Sequence, residues 1–132
     1  MRERVLDASV VLKWFAASME SGAPNASRLR DEFESGELTP LAPTLLYLEI
    51  LNVAGRRWGW STEELSDLAA ALDDLPFVMI EPPLAAVATW VSRGLTAYDA
   101  AYLAVAEASG APLITHDVTI LRAAPELVEP LV

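Results

Sequence analysis

The chain contains no cysteine, which excludes disulfides and thiolate metal sites. His116 is its single histidine, so zinc centres built from several imidazoles are excluded as well. No apolar stretch approaches the ~20 residues that cross a bilayer. The apolar run that follows Arg2 and Arg4 is broken by Asp7 and Lys13, unlike a signal peptide, and the expected location is the cytoplasm. Bases are also scarce: nine stand against nineteen acids, for a formal charge of −10. Such a balance argues against a general nucleic-acid binder, which presents a basic face. It suits a chain that concentrates carboxylates to hold cations or to meet a basic partner.

What is present is apolar. With 132 residues and 53% hydrophobic content, one domain spanning 1–132 can bury a core of its own. There is no internal repeat, low-complexity tract or linker. Short apolar strands alternate with helices. Strands are expected at 4–7, 37–43, 77–81 and 111–117, with an edge strand in the final LVEPLV, limited by Pro130. Helices are expected at 9–18, 25–36, 44–59, 61–75, 83–94, 96–110 and 119–125. Ser61 and Glu64 form the signature of a capping box, and Gly36, Gly94 and Gly110 mark helix ends. This alternation predicts parallel strands joined by right-handed crossovers, hence an α/β fold: a three-layer α/β/α sandwich around a central parallel sheet. Ligands of such sheets gather beyond the carboxyl ends of the strands. Asp7 and Asp117 fall at two of those ends.

Each acid also has a plain structural explanation. Asp7 and Asp117 stand where a helix N-cap is expected, and Thr96 with Asp99 resembles a capping box. Glu49 is different. It lies inside the apolar LLYLEILNVA, and a helix apolar nearly all round is buried. A glutamate there must be paired, neutralised or bound to a cation. Asn52 at i+3 and Arg56 at i+7 share its face, and an internal pair with Arg56 or Arg57 is the structural alternative. His116 beside Asp117 fits an exposed turn better than a general acid. Trp14, Phe15, Trp58, Trp60 and Trp90 are read mostly as core, with one or two left to anchor an interface.

The segments VLDASVVLKWF, LAPTLLYLEILNVAGRR and LTAYDAAYLAVAEASGAPLITHD, in this order, resemble the PIN domain family and its VapC-type toxin branch. Each motif is weak alone; the ordered set, running along nearly the whole chain, is specific. The resemblance implies a metal-dependent endoribonuclease site made of an acidic quartet, here Asp7, Glu49, Asp99 and Asp117. It implies Ser9 and Thr115 as flanking hydroxyls, and Asn52 and Arg56 as substrate or outer contacts. It further implies an RNA substrate, a cognate antitoxin and a homodimer. Oxygen-only ligands select hard cations, so Mg²⁺ or Mn²⁺ is expected. Acids gathered this closely cannot all ionise freely without a cation, and at least one should have a raised pKa. Lys13, Arg56, Arg57 and Arg93 are the bases available for phosphate. Two alternatives stand beside the nuclease. One is a non-catalytic PIN-like module that binds RNA or protein. The other is a phosphoacceptor signalling domain, which wants a second acid beside Asp7 and a late lysine, and the chain has neither.

Overall fold

The computed structural model describes residues 2–15 and 30–130. Strand β1 (Arg2–Leu6) leads into helix α1 (Ala8–Phe15), and residues 30–34 are helical ahead of β2 (Leu38–Ala42). Helix α2 (Leu45–Asn52) continues into a π-helical turn (Val53–Arg57). Then come α3 (Thr62–Asp73), β3 (Val78–Met79), α4 (Leu84–Ser92), α5 (Ala97–Ser109), β4 (Leu113–Thr115), α6 (Val118–Ala123) and β5 (Val128–Pro130). The first part of the helix expected at 25–36 lies outside the described residues.

The five strands form one sheet in the order β3-β2-β1-β4-β5, and every neighbouring pair is parallel. The α/β expectation is met. Val5 and Leu6 at the centre pair with Leu113 and Ile114, and all four are buried. Burial on both faces explains why the strands read as continuous apolar runs rather than alternating ones. The chain leaves β1 toward β2 and β3, then crosses back to β4 on the other side. Right-handed crossovers therefore set α1, α2 and α3 on one face and α4, α5 and α6 on the other, giving three layers. The order reverses between β1 and β4, and a crevice opens there at the carboxyl ends.

Local chemistry sets the helix ends. Ser61 accepts from the Glu64 amide while Glu64 accepts from the Ser61 amide, completing the expected capping box. Thr96 caps α5, and Gly110 closes it in the left-handed region at φ 68°, which glycine adopts without a Cβ clash. Residues 100–106 of α5 are all buried, so this alanine-rich helix is apolar all round and packs against β1, β2 and β4.

Two expectations need correction. The helix expected at 44–59 is α-helical only to Asn52, because Val53 to Arg57 adopt the wider π turn, with the Trp58 amide bonded back to the Val53 carbonyl. The strand expected at 77–81 pairs over two residues only. The tryptophans are core or half-buried: Trp14 stacks on Phe33 and Trp90 is buried, while Trp58 and Trp60 pack on each other. The side chain of Phe15 lies outside what is described. Among the described residues the exposed large apolar groups are instead aliphatic or phenolic: Leu48, Leu84, Tyr98, Val118, Val78 and Val91.

Candidate active site

Beyond the carboxyl ends of β1 and β4 lies a cavity of about 280 Å³. Asp7, Glu49, Asp99 and Asp117 all line it, together with Ser9, Leu12, Lys13, Val53, Arg57, Tyr102 and His116. Four segments supply the acids: the residue after β1, the middle of α2, the first turn of α5 and the residue before α6.

Asp7 is the most enclosed, at 4% exposure. Its Oδ1 accepts from the Ser9 hydroxyl at 2.6 Å and from the Val10 amide at 3.3 Å, and its Oδ2 accepts from the Thr115 hydroxyl. The two hydroxyls are oriented by the turn after β4. The His116 amide donates to Ser9 Oγ at 3.1 Å, and the Asp117 amide donates to Thr115 Oγ1 at 3.0 Å. With a lone pair of each hydroxyl engaged by an amide, each hydroxyl proton is left for Asp7. The carboxylate is thereby fixed from both central strands. Burial nevertheless pushes its pKa up to about 6, against the lowering by Ser9, Thr115 and Val10, with Asp117 adding repulsion.

Asp117 is also the N-cap of α6, its Oδ1 accepting from the amides of Thr119 and Ile120. Asp99 sits one turn into α5. The Thr96 hydroxyl accepts from the Asp99 amide, but the return bond from the Thr96 amide to the Asp99 carboxylate is not formed, so the capping box stays half made. Burial raises the Asp99 pKa, repulsion from Asp117 raises it further, and the Thr96 hydroxyl opposes both. On α2, Glu49 Oε1 accepts from the Tyr102 hydroxyl at 2.7 Å. Its pKa is raised by burial, lowered by that bond and raised again by Asp99. The expected strain among the acids is present in three of them, with burial the larger cause and mutual repulsion the smaller.

Ser9 and Thr115, which the resemblance implied as flanking hydroxyls, both bond the Asp7 carboxylate. Asn52 and Arg56 do not line the cavity. Arg57 takes the expected position of Arg56, because the π turn holds an extra residue and shifts the phase of everything after Val53. Asn52 lines an adjoining groove of about 520 Å³ with Leu45, Leu48 and Tyr98, and Glu49 forms the wall between the two hollows. The alternative pairing of Glu49 with an arginine is not found among the described residues, since its partner is Tyr102. Sequence reasoning missed that role for Tyr102, although its place three residues after Asp99 on one helix face was a usable signal.

The donors suit a hard divalent cation in kind: they are carboxylates and hydroxyls, and a cation would relieve the repulsion that raises Asp99 and Glu49. Among the described residues, however, no three acidic or histidine side chains form a group that could hold a metal ion as they stand.

A model of the PIN domain matches residues 4–125. PAE2754 from Pyrobaculum aerophilum is similar at 27% identity and a TM-score of 0.69, over 98% of this chain and 90% of that one. VapC20 of Mycobacterium tuberculosis, described as a sarcin-ricin loop cleaving toxin, superposes with a TM-score of 0.70 at 16% identity, over 96% of this chain and 97% of its own. VapBC-1 from nontypeable Haemophilus influenzae gives 0.64 at 17% identity, over 96% and 95%. No curated protein sequence matches the chain. Matched along nearly its whole length, with a five-stranded parallel sheet that these structures share, the chain belongs to the PIN domain family.

Proposed function

We propose that this protein is a cation-dependent endoribonuclease toxin of the VapC type, which hydrolyses RNA phosphodiester bonds and is silenced by a cognate antitoxin. One observation carries the proposal: four carboxylates from four distant segments line one cavity at the carboxyl ends of the central strands. Family membership supports it, as does likeness to a toxin that cleaves the sarcin-ricin loop.

Asp7, Asp99 and Asp117 would hold Mg²⁺ or Mn²⁺, with Glu49 as a further ligand or the group that orients the attacking water. When bound, the ion supplies Lewis-acid polarisation of the phosphoryl group and a more acidic water. The chain supplies the rest. Ser9 and Thr115 keep Asp7 aimed into the cavity. Arg57 and Lys13, both on the cavity wall, meet the phosphate, and Asn52 offers an amide to the RNA from the adjoining groove. Arg56, off the cavity, is left for a contact further along the strand. With so few bases, RNA affinity should be modest and fall with salt.

An antitoxin segment carrying Arg or Lys would suit a chain of charge −10, and solved relatives include the VapBC-1 and FitAB assemblies. The exposed Leu48 and Tyr98, beside the cavity, support pairing of two copies through that face. No helix among the described residues is long and apolar enough to cross a membrane, and an RNA substrate puts the expected site of action in the cytoplasm.

The test is cleavage of RNA with Mg²⁺, with Mn²⁺ and with chelator, comparing the natural chain with Asp7→Asn. Cation-dependent cutting that Asp7→Asn abolishes is the expected result; no cutting by the folded natural chain with either ion overturns the proposal. A non-catalytic RNA- or protein-binding module is the alternative, favoured by the finding that no three acidic or histidine side chains among the described residues form a cation group as they stand. It would show binding without cleavage.

A further inference from the structure

Tyr102 is the one large aromatic whose ring belongs to the core while its hydroxyl belongs to the acidic cavity. It is 1% exposed, within the continuously buried stretch of α5. Packing alone would be served equally by phenylalanine, since a buried phenol adds the need for a hydrogen-bond partner. That partner is Glu49 Oε1, at 2.7 Å and 53 residues away in sequence. The bond joins α2 on one face of the sheet to α5 on the other, across the rim of the cavity.

We propose that Tyr102 is a positioning residue that locks the Glu49 carboxylate, taking up Oε1 and leaving Oε2 for the cation or water in the cavity. The proposal rests on the nuclease reading of this cavity. Two further features support it. Glu49 sits one turn before the π helix and lines both hollows, and among the described residues no ion pair reaches it. Tyr102 lines the same cavity as all four acids, so the bond lies within the site. Outer-shell partners of this kind commonly govern metal affinity or activity by 10–100-fold.

The test uses the full chain and four proteins: the natural sequence, Tyr102→Phe, Glu49→Gln and the double variant. Mn²⁺ affinity is measured by calorimetric titration, RNA cleavage by steady-state kinetics, and folding by thermal unfolding. Tyr102→Phe removes one oxygen and keeps the ring. It is expected to weaken Mn²⁺ binding by about 10-fold or more and to lower kcat, with KM for RNA little changed. In the Glu49→Gln background the same substitution should alter Mn²⁺ affinity by less than about 2-fold, because the group it positions is gone. Natural Mn²⁺ affinity and kcat in Tyr102→Phe overturn the proposal. So does an equal loss in both backgrounds, which would make Tyr102 a packing residue only. Should Tyr102→Phe fail to fold, Glu49→Gln decides: Mn²⁺ affinity like that of the natural chain means there is nothing to position. A natural chain that neither binds Mn²⁺ nor cuts RNA overturns the nuclease reading itself, and this inference with it.

Discussion

Thr115 donates its hydroxyl to Asp7, joining the carboxyl ends of β4 and β1 by a side-chain bond just where the backbone ladder between them stops. The same hydroxyl accepts the amide of Asp117. One buried oxygen thus fixes two of the four acids. Thr115→Val keeps the shape and deletes both bonds, leaving a buried carboxylate oxygen and an amide without their partner. It should destabilise the fold by about 1–3 kcal/mol in urea unfolding, with Thr115→Ser recovering most of the loss.

Asp99→Asn separates the two explanations of that residue. The Thr96 cap uses the Asp99 amide, which asparagine retains. The carboxylate suffers burial and the repulsion of Asp117, which asparagine lacks. The variant should lose RNA cleavage yet, free of divalent ions, melt at the same temperature as the natural chain or higher. A clear drop in melting temperature would return Asp99 to a capping role.

The raised carboxyl of Asp7 gives the cation-free protein a defined pH dependence. Its pKa moves from 3.8 to about 6 on folding. Between those values the folded chain holds a proton that the unfolded chain has released. The stability from the protonated form is therefore complete below pH 3.8, declines as pH rises toward 6 and is gone above it, by about 3 kcal/mol in all. Urea midpoints in chelator from pH 4 to 8 should fall over that window in the natural chain, and the slope should lessen in Asp7→Asn. Saturating Mn²⁺ should lift the loss at pH 7.5, by about 2.7 kcal/mol at a hundred times Kd.

The π turn makes a one-residue prediction. Arg57 lines the cavity and Arg56 does not. Arg57→Ala should raise KM for RNA about 10-fold, while Arg56→Ala should stay within about 2-fold at the same salt concentration. Equal effects would mean that the two side chains reach the substrate alike and that the register shift has no functional meaning.

Leu48 and Tyr98 are 69% and 66% exposed on one groove beside the cavity. If two copies pair there, Leu48→Glu or Tyr98→Glu should convert a dimer to a monomer in sedimentation, by placing a charge in an apolar contact. An unchanged sedimentation coefficient would move the interface elsewhere, with Leu84 and Val91 on α4 the next exposed apolar face.

Much of this molecule is readable from short windows of sequence. The alternation of apolar strands with helices implied the parallel sheet, and the acids at the ends of the first and fourth strands marked the rim where the cavity opens. Ser61 with Glu64, Thr96 and Gly110 end their helices as their chemistry requires. Asp117 is legible twice over, since it caps α6 and lines the cavity with the same side chain. Caps, turns and periodicity are settled within a few residues, so neighbours in sequence are enough to reveal them.

Other features depend on which groups meet after packing. Sequence periodicity put Arg56 on the face of Glu49; a π turn put Arg57 on the cavity wall instead. The Tyr102–Glu49 bond and the Thr115–Asp7 bond span 53 and 108 residues, and no local propensity encodes either. Sequence alone therefore determined the fold class, because patterning is a local property, and resemblance to the PIN family singled out the four acids that line the cavity. Only the tertiary structure decided how those acids are held, which arginine joins them, and that no three of them form a ready cation group as they stand among the described residues. Those outcomes turn on ångström-scale packing and helix phase, which the whole fold sets together.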